Sequence, residues 1–309
     1  MHRQRGAVAE PARLGLVIDW DFHQAGRWVS IFAPHLVDGI IARFDPVIIS
    51  SQQEYDQAAD DLVAAISMEP GWAAPRLRFN GRHPAAVLVS DPHNKTSWFQ
   101  DYVQANNISH VLSQYYSPFF HHFPDFPQDR FVHFPWAVPD AYIYQEEIDR
   151  RQASSEVAVF GAAASDAYTL RNWCRRQKGV CSFDNSGVEN KQFNEAGYFD
   201  WLHNLDAVIA AGSASRRYQL VTPKYFEIAS AGALLFGQHC PDLEMLGFDA
   251  SNMLAFSRWS FRRKLKRYHR CPEDYLAIRR NGRALIQSRH AMSRRIDQLA
   301  GVLGLERRA

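Results

Sequence analysis

Short apolar runs alternate with longer amphipathic stretches along this chain, the pattern left by buried parallel strands joined through covering helices. The runs at 14–19, 46–50, 85–90 and 110–113 read as strands, and 28–43, 53–65 and 98–106 read as helices. Residues 115–126 hold too much Pro, Phe and His for regular structure and are expected to form a loop packed on a domain edge. The pattern breaks over 135–155, where Pro135 and Pro139 precede a mixed-charge run ending in Gln152, Ala153, Ser154 and Ser155. It then restarts with strands at 157–161, 207–211 and 233–236, helices at 169–177, 198–204 and 223–231, and a helical tail over 272–305. The expectation is an α/β chain of two successive βα domains, 14–150 and 151–290, behind a flexible N-terminus, 1–13. A last helix, 291–309, is long enough to cross back onto the first domain.

Composition narrows this picture. A chain of 309 residues with 46% apolar and 13% aromatic content can bury two ordinary cores, which excludes overall disorder. A formal charge of only +2 excludes a global basic field, so nucleic acid or anionic lipid would have to use a local patch. One such patch is the basic tail with Arg258, Arg262, Arg263, Lys264, Lys266, Arg267 and Arg270, read either as a solvated helix face or as a peripheral membrane or nucleic-acid contact. Cys174, Cys181, Cys240 and Cys271 form no CxxC pair and read as reduced thiols. The first 13 residues lack the apolar core of a signal peptide, and no later run reaches membrane-spanning length, so a cytoplasmic protein is expected, with room for contact at a membrane surface.

Candidate chemistry concentrates between Asp206 and Phe248. A strand leads into the loop Gly212-Ser213-Ala214-Ser215-Arg216-Arg217, and a helix opens at Thr222 and Pro223, a well-formed N-cap followed by Pro at the first helical position. Lys224 stands in the first turn, where a cation opposes the positive end of the helix dipole; a bound anion would compensate. Arg216, Arg217 and Lys224 could together meet a diphosphate, and Glu227, on the same helix face, could accept from the hydroxyls of a ribose. On chemistry alone, solvated arginines and a surface Lys224–Glu227 pair remain an equal alternative.

The run from Leu220 through Thr222-Pro223-Lys224-Tyr225-Phe226-Glu227 to Gly232, the following Pro241-Asp242-Leu243-Glu244 and Gly247-Phe248, and later Asn281-Gly282-Arg283, His290 and Arg294 resemble the C-terminal domain of CgeB-like, spore-maturation-type glycosyltransferases. The likeness covers roughly 155–300; over the first domain only Pro135-Trp136 takes part. It implies a GT-B fold, two Rossmann-like domains facing a central cleft, with a nucleotide-sugar donor held mainly by the second. By that resemblance Glu227 binds the donor ribose; Thr222, Lys224 and Tyr225, with Arg216 and Arg217, complete the expected donor site. Related retaining enzymes often carry another glutamate eight positions before it, where this chain has Gln219. Gly161 would let the backbone approach the donor, and Arg171 matches an arginine common in the family. No cofactor and no metal are expected beyond the donor itself.

In doubly wound sheets ligands bind beyond the C-terminal ends of the strands, which points to two loops of the first domain. Asp91 and His93 are the candidates for catalysis, a base for the acceptor hydroxyl or a group that orients the donor sugar, with a turn or N-cap role as the structural alternative for Asp91. Asp19, His23 and Gly26 in the earlier loop are candidate cleft or acceptor residues, with structural roles favoured for Asp19 and His23. His121 and His122 have no third ligand at sensible spacing for a metal. Three rival functions are a glycosyltransferase acting on a nucleobase or nucleic acid, a non-catalytic nucleotide-sugar-binding module, and a sugar-nucleotide epimerase.

Overall fold

A computed structural model describes residues 13–95, 98–148, 156–183, 194–213, 215, 218 and 220–305. The first half contains β1 (Arg13–Val17), α1 (Trp20–Gln24), α2 (Phe32–Phe44), β2 (Val47–Ile49), α3 (Gln52–Ala58), β3 (Leu62–Met68), β4 (Ala85–Val89), α4 (Phe99–Ala105), β5 (His110–Ser113), α5 (Ser117–His122) and β6 (Phe131–His133). The second contains β7 (Val157–Val159), α6 (Thr169–Arg175), β8 (Val180–Ser182), α7 (Glu195–His203), β9 (Ala207–Ala210), α8 (Pro223–Ser230), β10 (Leu234–Gln238), β11 (Leu254–Phe256), α9 (Phe261–Arg270), α10 (Leu276–Leu285) and α11 (Met292–Val302).

Among the described residues these strands form two parallel sheets, ordered β2-β1-β3-β4-β5-β6 and β11-β10-β9-β7-β8. Strands β1, β4, β7, β9 and β10 are buried almost throughout, as expected where helices cover both faces.

The expected helix over 53–65 is corrected: α3 stops at Ala58 and residues 62–68 form a central strand between β1 and β4. The start of α3 is set by Ser51, whose hydroxyl accepts from the Glu54 amide at 3.2 Å, while the Glu54 carboxylate accepts from the Ser50 amide at 2.6 Å. Beyond it, the helix propensity of Ala64 and Ala65 yields to burial on both faces of the sheet. The expected loop over 115–126 is corrected too, because 117–122 is helical. The cap of α5 comes from far along the chain: the buried Asp242 carboxylate accepts from the amides of Tyr116 and Ser117 at 3.1 Å.

Several contacts join the halves. His35 on α2 meets Glu195 on α7, and the Tyr142 ring stacks on Phe199 with centroids 4.4 Å apart. Helix α11 packs against α2, with Ile296 so close to Gly39 that a Cβ there would lie 2.8 Å from its Cδ1. In α9, Phe261, Leu265 and Tyr268 turn inward while Arg262, Arg263, Lys266, Arg267 and Arg270 face out, next to Trp259, which is 94% exposed. No helix among the described residues is long and apolar enough to cross a membrane.

Candidate active site

The loops at the C-terminal ends of β4, β7 and β9 approach one another, and the rings of His93 and Tyr218 lie 5.9 Å apart across the gap between the two sheets. On the second-domain side the chain leaves β7 through Phe160 and turns at Gly161, whose φ of +97° favours glycine. A side chain there would also collide: a Cβ would lie 2.9 Å from Lys224 Cε and 3.3 Å from Arg171 Nη1. The carbonyls after this turn are tied to α6. Arg175 donates to Gly161 O, Arg171 to Ala162 O at 3.0 Å, and Asn172 to Ala163 O at 2.8 Å. Arg171 also donates to Ala211 O at 2.8 Å, joining this loop to the end of β9. It is 3% exposed, and burial lowers its pKa to about 10, so it stays charged at neutral pH. It is a buried brace and not a surface helix charge.

Helix α8 starts beside this turn. Thr222 takes the N-cap conformation without a side-chain cap bond, and Pro223 occupies the first turn. Lys224 lies back over Phe160, its ammonium 3.9 Å from the ring centroid. One turn on, the half-buried Glu227 accepts from the Tyr198 hydroxyl at 2.7 Å. Burial pushes the Glu227 carboxyl up, opposed by the charge of Lys224 and by the Tyr198 bond. Lys224 thus rests against Phe160 and the Gly161 turn while its charge acts on Glu227, which Tyr198 holds. Tyr225, expected at the donor, turns into the core instead, with its hydroxyl donating to Gln238 O at 2.8 Å. Arg216, Arg217 and Gln219 lie outside the described residues, as do residues 1–12 of the expected flexible N-terminus and the run 152–155.

On the first-domain side, Asp91 and His93 follow β4 together. Asp91 occupies the N-cap position of the turn over Pro92–Asn94, its carbonyl accepting from the Asn94 amide at 3.0 Å, while its side chain makes no cap bond. Burial pushes its carboxyl up, with His93 and Lys95 pulling the other way. His93 Nδ1 is buried and has no hydrogen-bond partner among the described residues. Sequence reasoning missed what holds this loop. Glu69, at the end of β3 with φ +54°, accepts from the Ser90 amide at 2.5 Å and pairs with Lys95 at 3.1 Å, both side chains buried. A non-glycine residue at positive φ that also carries a buried charge is a costly arrangement, and such positions cluster at functional sites. The available signal was an acid at the end of an apolar run, hidden by the helix expected there. Tyr198, the partner of Glu227, was missed because only the fold brings them together.

The earlier loop has local work. Asp19 accepts from the Phe22 amide at 2.9 Å as the cap of α1. His23 accepts from Trp28 Nε1 at 3.1 Å and lies 3.6 Å from Asp38. Gly26 turns the chain at φ +62°. None of these three reaches the Asp91–Tyr218 gap through a described hydrogen bond. Among the described residues, no three His, Cys, Asp or Glu side chains gather as a metal site.

No curated protein sequence matches the chain. Among solved structures, Anabaena HepE in complex with UDP is similar, with a TM-score of 0.61 at 11% identity over 95% of this chain and 100% of that one. HepE in complex with UDP-glucose gives 0.58 at 12% identity over 95% and 99%. A glycosyltransferase from Rickettsia africae gives 0.57 at 9% identity over 96% and 99%. These likenesses fix the fold as GT-B, two Rossmann-like domains facing a cleft. The sequence that builds the second-domain wall is what carries the family: residues 144–301, just over half of the chain, match the glycosyl transferase-like family, and the chain belongs to it.

Proposed function

We propose that the protein transfers a sugar from a nucleoside-diphosphate sugar, with uridine diphosphate sugars the first candidates, to a hydroxyl-bearing acceptor. The observation that carries this reading is the start of α8: Lys224 lies over Phe160 and the Gly161 turn, with Glu227 held by Tyr198 one turn away. Similarity to HepE, solved with UDP and with UDP-glucose, supports a uridine nucleotide. The ordered run from Thr222 to Glu227, with Asp242, His290 and Arg294 behind it, supports a CgeB-like subtype within the family.

In this reading Lys224 and the positive end of α8 face the diphosphate, and Glu227 accepts from the ribose hydroxyls. The bond between the anomeric carbon and the phosphate oxygen breaks, and the electron pair leaves with the nucleoside diphosphate. Fixed positive charge opposite that leaving group lowers the barrier most, because that is where charge develops. The acceptor oxygen bonds to the anomeric carbon and its proton passes to Asp91. A carboxyl raised by burial is a better base than an ordinary one once ionised. His93, across from Tyr218, orients the sugar.

The test is a thermal-shift screen against UDP-, GDP-, ADP-, CMP- and dTDP-linked sugars. At a hundred times Kd a ligand adds about 2.7 kcal/mol of stability. That corresponds to a rise of roughly 4 °C for a chain of 309 residues. The expected result is a shift with UDP-sugars that Lys224→Ala and Glu227→Ala abolish. No shift with any nucleotide sugar, or shifts unchanged in both variants, would overturn the reading.

A further inference from the structure

A cavity of about 380 Å³ opens where the two domains and the returning C-terminal chain meet, away from the Lys224 and His93 walls. Its lining comes from both domains: His133 and Pro135 at the end of β6, Met245 and Leu246 beyond β10, and the segment from Ser288 to Gln298. Three arginines, Arg289, Arg294 and Arg295, line it, and no carboxylate does.

Arg295 is the unusual member. It is 7% exposed, yet among the described residues it forms no ion pair with a carboxylate, and its Nε–H is buried without an acceptor. Its other nitrogens are fixed, Nη1 to Gln298 at 2.6 Å and Nη2 to the Arg289 carbonyl at 2.7 Å and to His290 Nδ1 at 3.0 Å. His290 is neutral, because burial drops its pKa to about 3, so it accepts from Arg295 through Nδ1 while Nε2 donates to Leu246 O at 2.8 Å. Burial lowers the Arg295 pKa only to about 10, so the guanidinium keeps its charge. His133 Nε2 is likewise buried without a partner. The negative charge acting on His133 is that of Asp242, whose oxygens are engaged by the Tyr116 and Ser117 amides.

A buried guanidinium without a counter-ion is costly unless an anion completes the site. Three guanidiniums on a cavity of this size match a phosphoryl group, which accepts paired N–H donors in a fork. The volume, within the range of small-ligand sites, leaves room for more than a single bare ion.

We infer that this cavity is a second anion site, built to hold a phosphate- or diphosphate-bearing ligand against Arg289, Arg294 and Arg295. Because the lining comes from both domains, the ligand fastens β6 to the loop beyond β10. The site is separate from the donor wall and does not depend on the proposed transfer reaction.

The test is titration calorimetry of the full chain with inorganic phosphate and with pyrophosphate at constant ionic strength, and sedimentation with phosphatidylcholine vesicles with and without phosphatidic acid. Wild type is compared with Arg289→Ala, Arg294→Ala and Lys224→Ala; both arginines are exposed, and an unchanged thermal unfolding midpoint checks that each variant stays folded. The expected result is saturable binding that each arginine substitution weakens by roughly tenfold, the loss of a charge-assisted hydrogen bond, and that Lys224→Ala retains. Arginine-dependent binding of phosphate or pyrophosphate identifies a soluble ligand; arginine-dependent binding of phosphatidic acid vesicles alone identifies a lipid headgroup. No binding to any probe, or binding that both arginine substitutions leave at wild-type strength, overturns the proposal; binding lost only in Lys224→Ala is that of the donor wall and overturns it too.

Discussion

The two walls of the cleft are built differently. The second-domain wall is local in sequence: Thr222, Lys224 and Glu227 stand within two turns of α8, and one glycine turn lets them approach β7. The first-domain wall hangs on a long-range device, the buried Glu69–Lys95 pair that grips the loop carrying Asp91 and His93. The difference follows from the tasks proposed for each. Holding a diphosphate needs fixed positive charge, which a helix start and one lysine supply cheaply. Moving a proton needs a carboxyl kept out of water and out of other hydrogen bonds, and only the tertiary fold can arrange that.

Four substitutions break or sharpen this contrast, and the first should have the largest effect. Asp91→Asn removes the proposed base and should lower turnover by about 10²–10⁴-fold without changing donor affinity. Burial raises the Asp91 carboxyl, so below its raised pKa it is protonated and cannot act as a base. Turnover should therefore fall with decreasing pH at values above the ordinary carboxylate range, and this acid limb should disappear in Asp91→Asn. Lys95→Met leaves Glu69 buried without its partner and should destabilise the chain by about 3–5 kcal/mol in urea unfolding, with Glu69→Gln added in the same chain restoring much of the loss.

Lys224→Ala should weaken nucleotide-sugar binding by roughly 10–100-fold in calorimetry, the scale of a charge-assisted contact, and leave unfolding nearly unchanged because the side chain is only half-buried. The smallest effect is expected from Asp242→Ala, which removes the cross-domain cap of α5 and should cost about 1 kcal/mol in thermal unfolding.

The same contrast explains what the sequence could show. The start of α8 was legible because a cap, a proline and a misplaced cation lie within three positions. The alternation of strand and helix was legible wherever runs were long. Strand β3 was misread because Ala64 and Ala65 continue a helical pattern and only their place between β1 and β4 decides otherwise. Strands β6, β8 and β11 have three residues each, too few to show a period; β2 and β7, equally short, were read only as the apolar runs 46–50 and 157–161. Helix α5 was hidden because its cap, Asp242, lies 125 positions from Ser117. The Tyr198–Glu227 bond spans 29 positions and the Ser90–Glu69 bond 21, so neither partner carries a local mark.

The division of labour between the walls is tested most directly by measuring, in parallel, the Kd for a UDP-sugar and the rate of its hydrolysis, with water as acceptor, in wild type, Lys224→Ala and Asp91→Asn. The account predicts a weakened Kd in Lys224→Ala, and an unchanged Kd with a collapsed rate in Asp91→Asn. A Kd weakened equally in both variants, or a rate in Asp91→Asn equal to wild type, would contradict it.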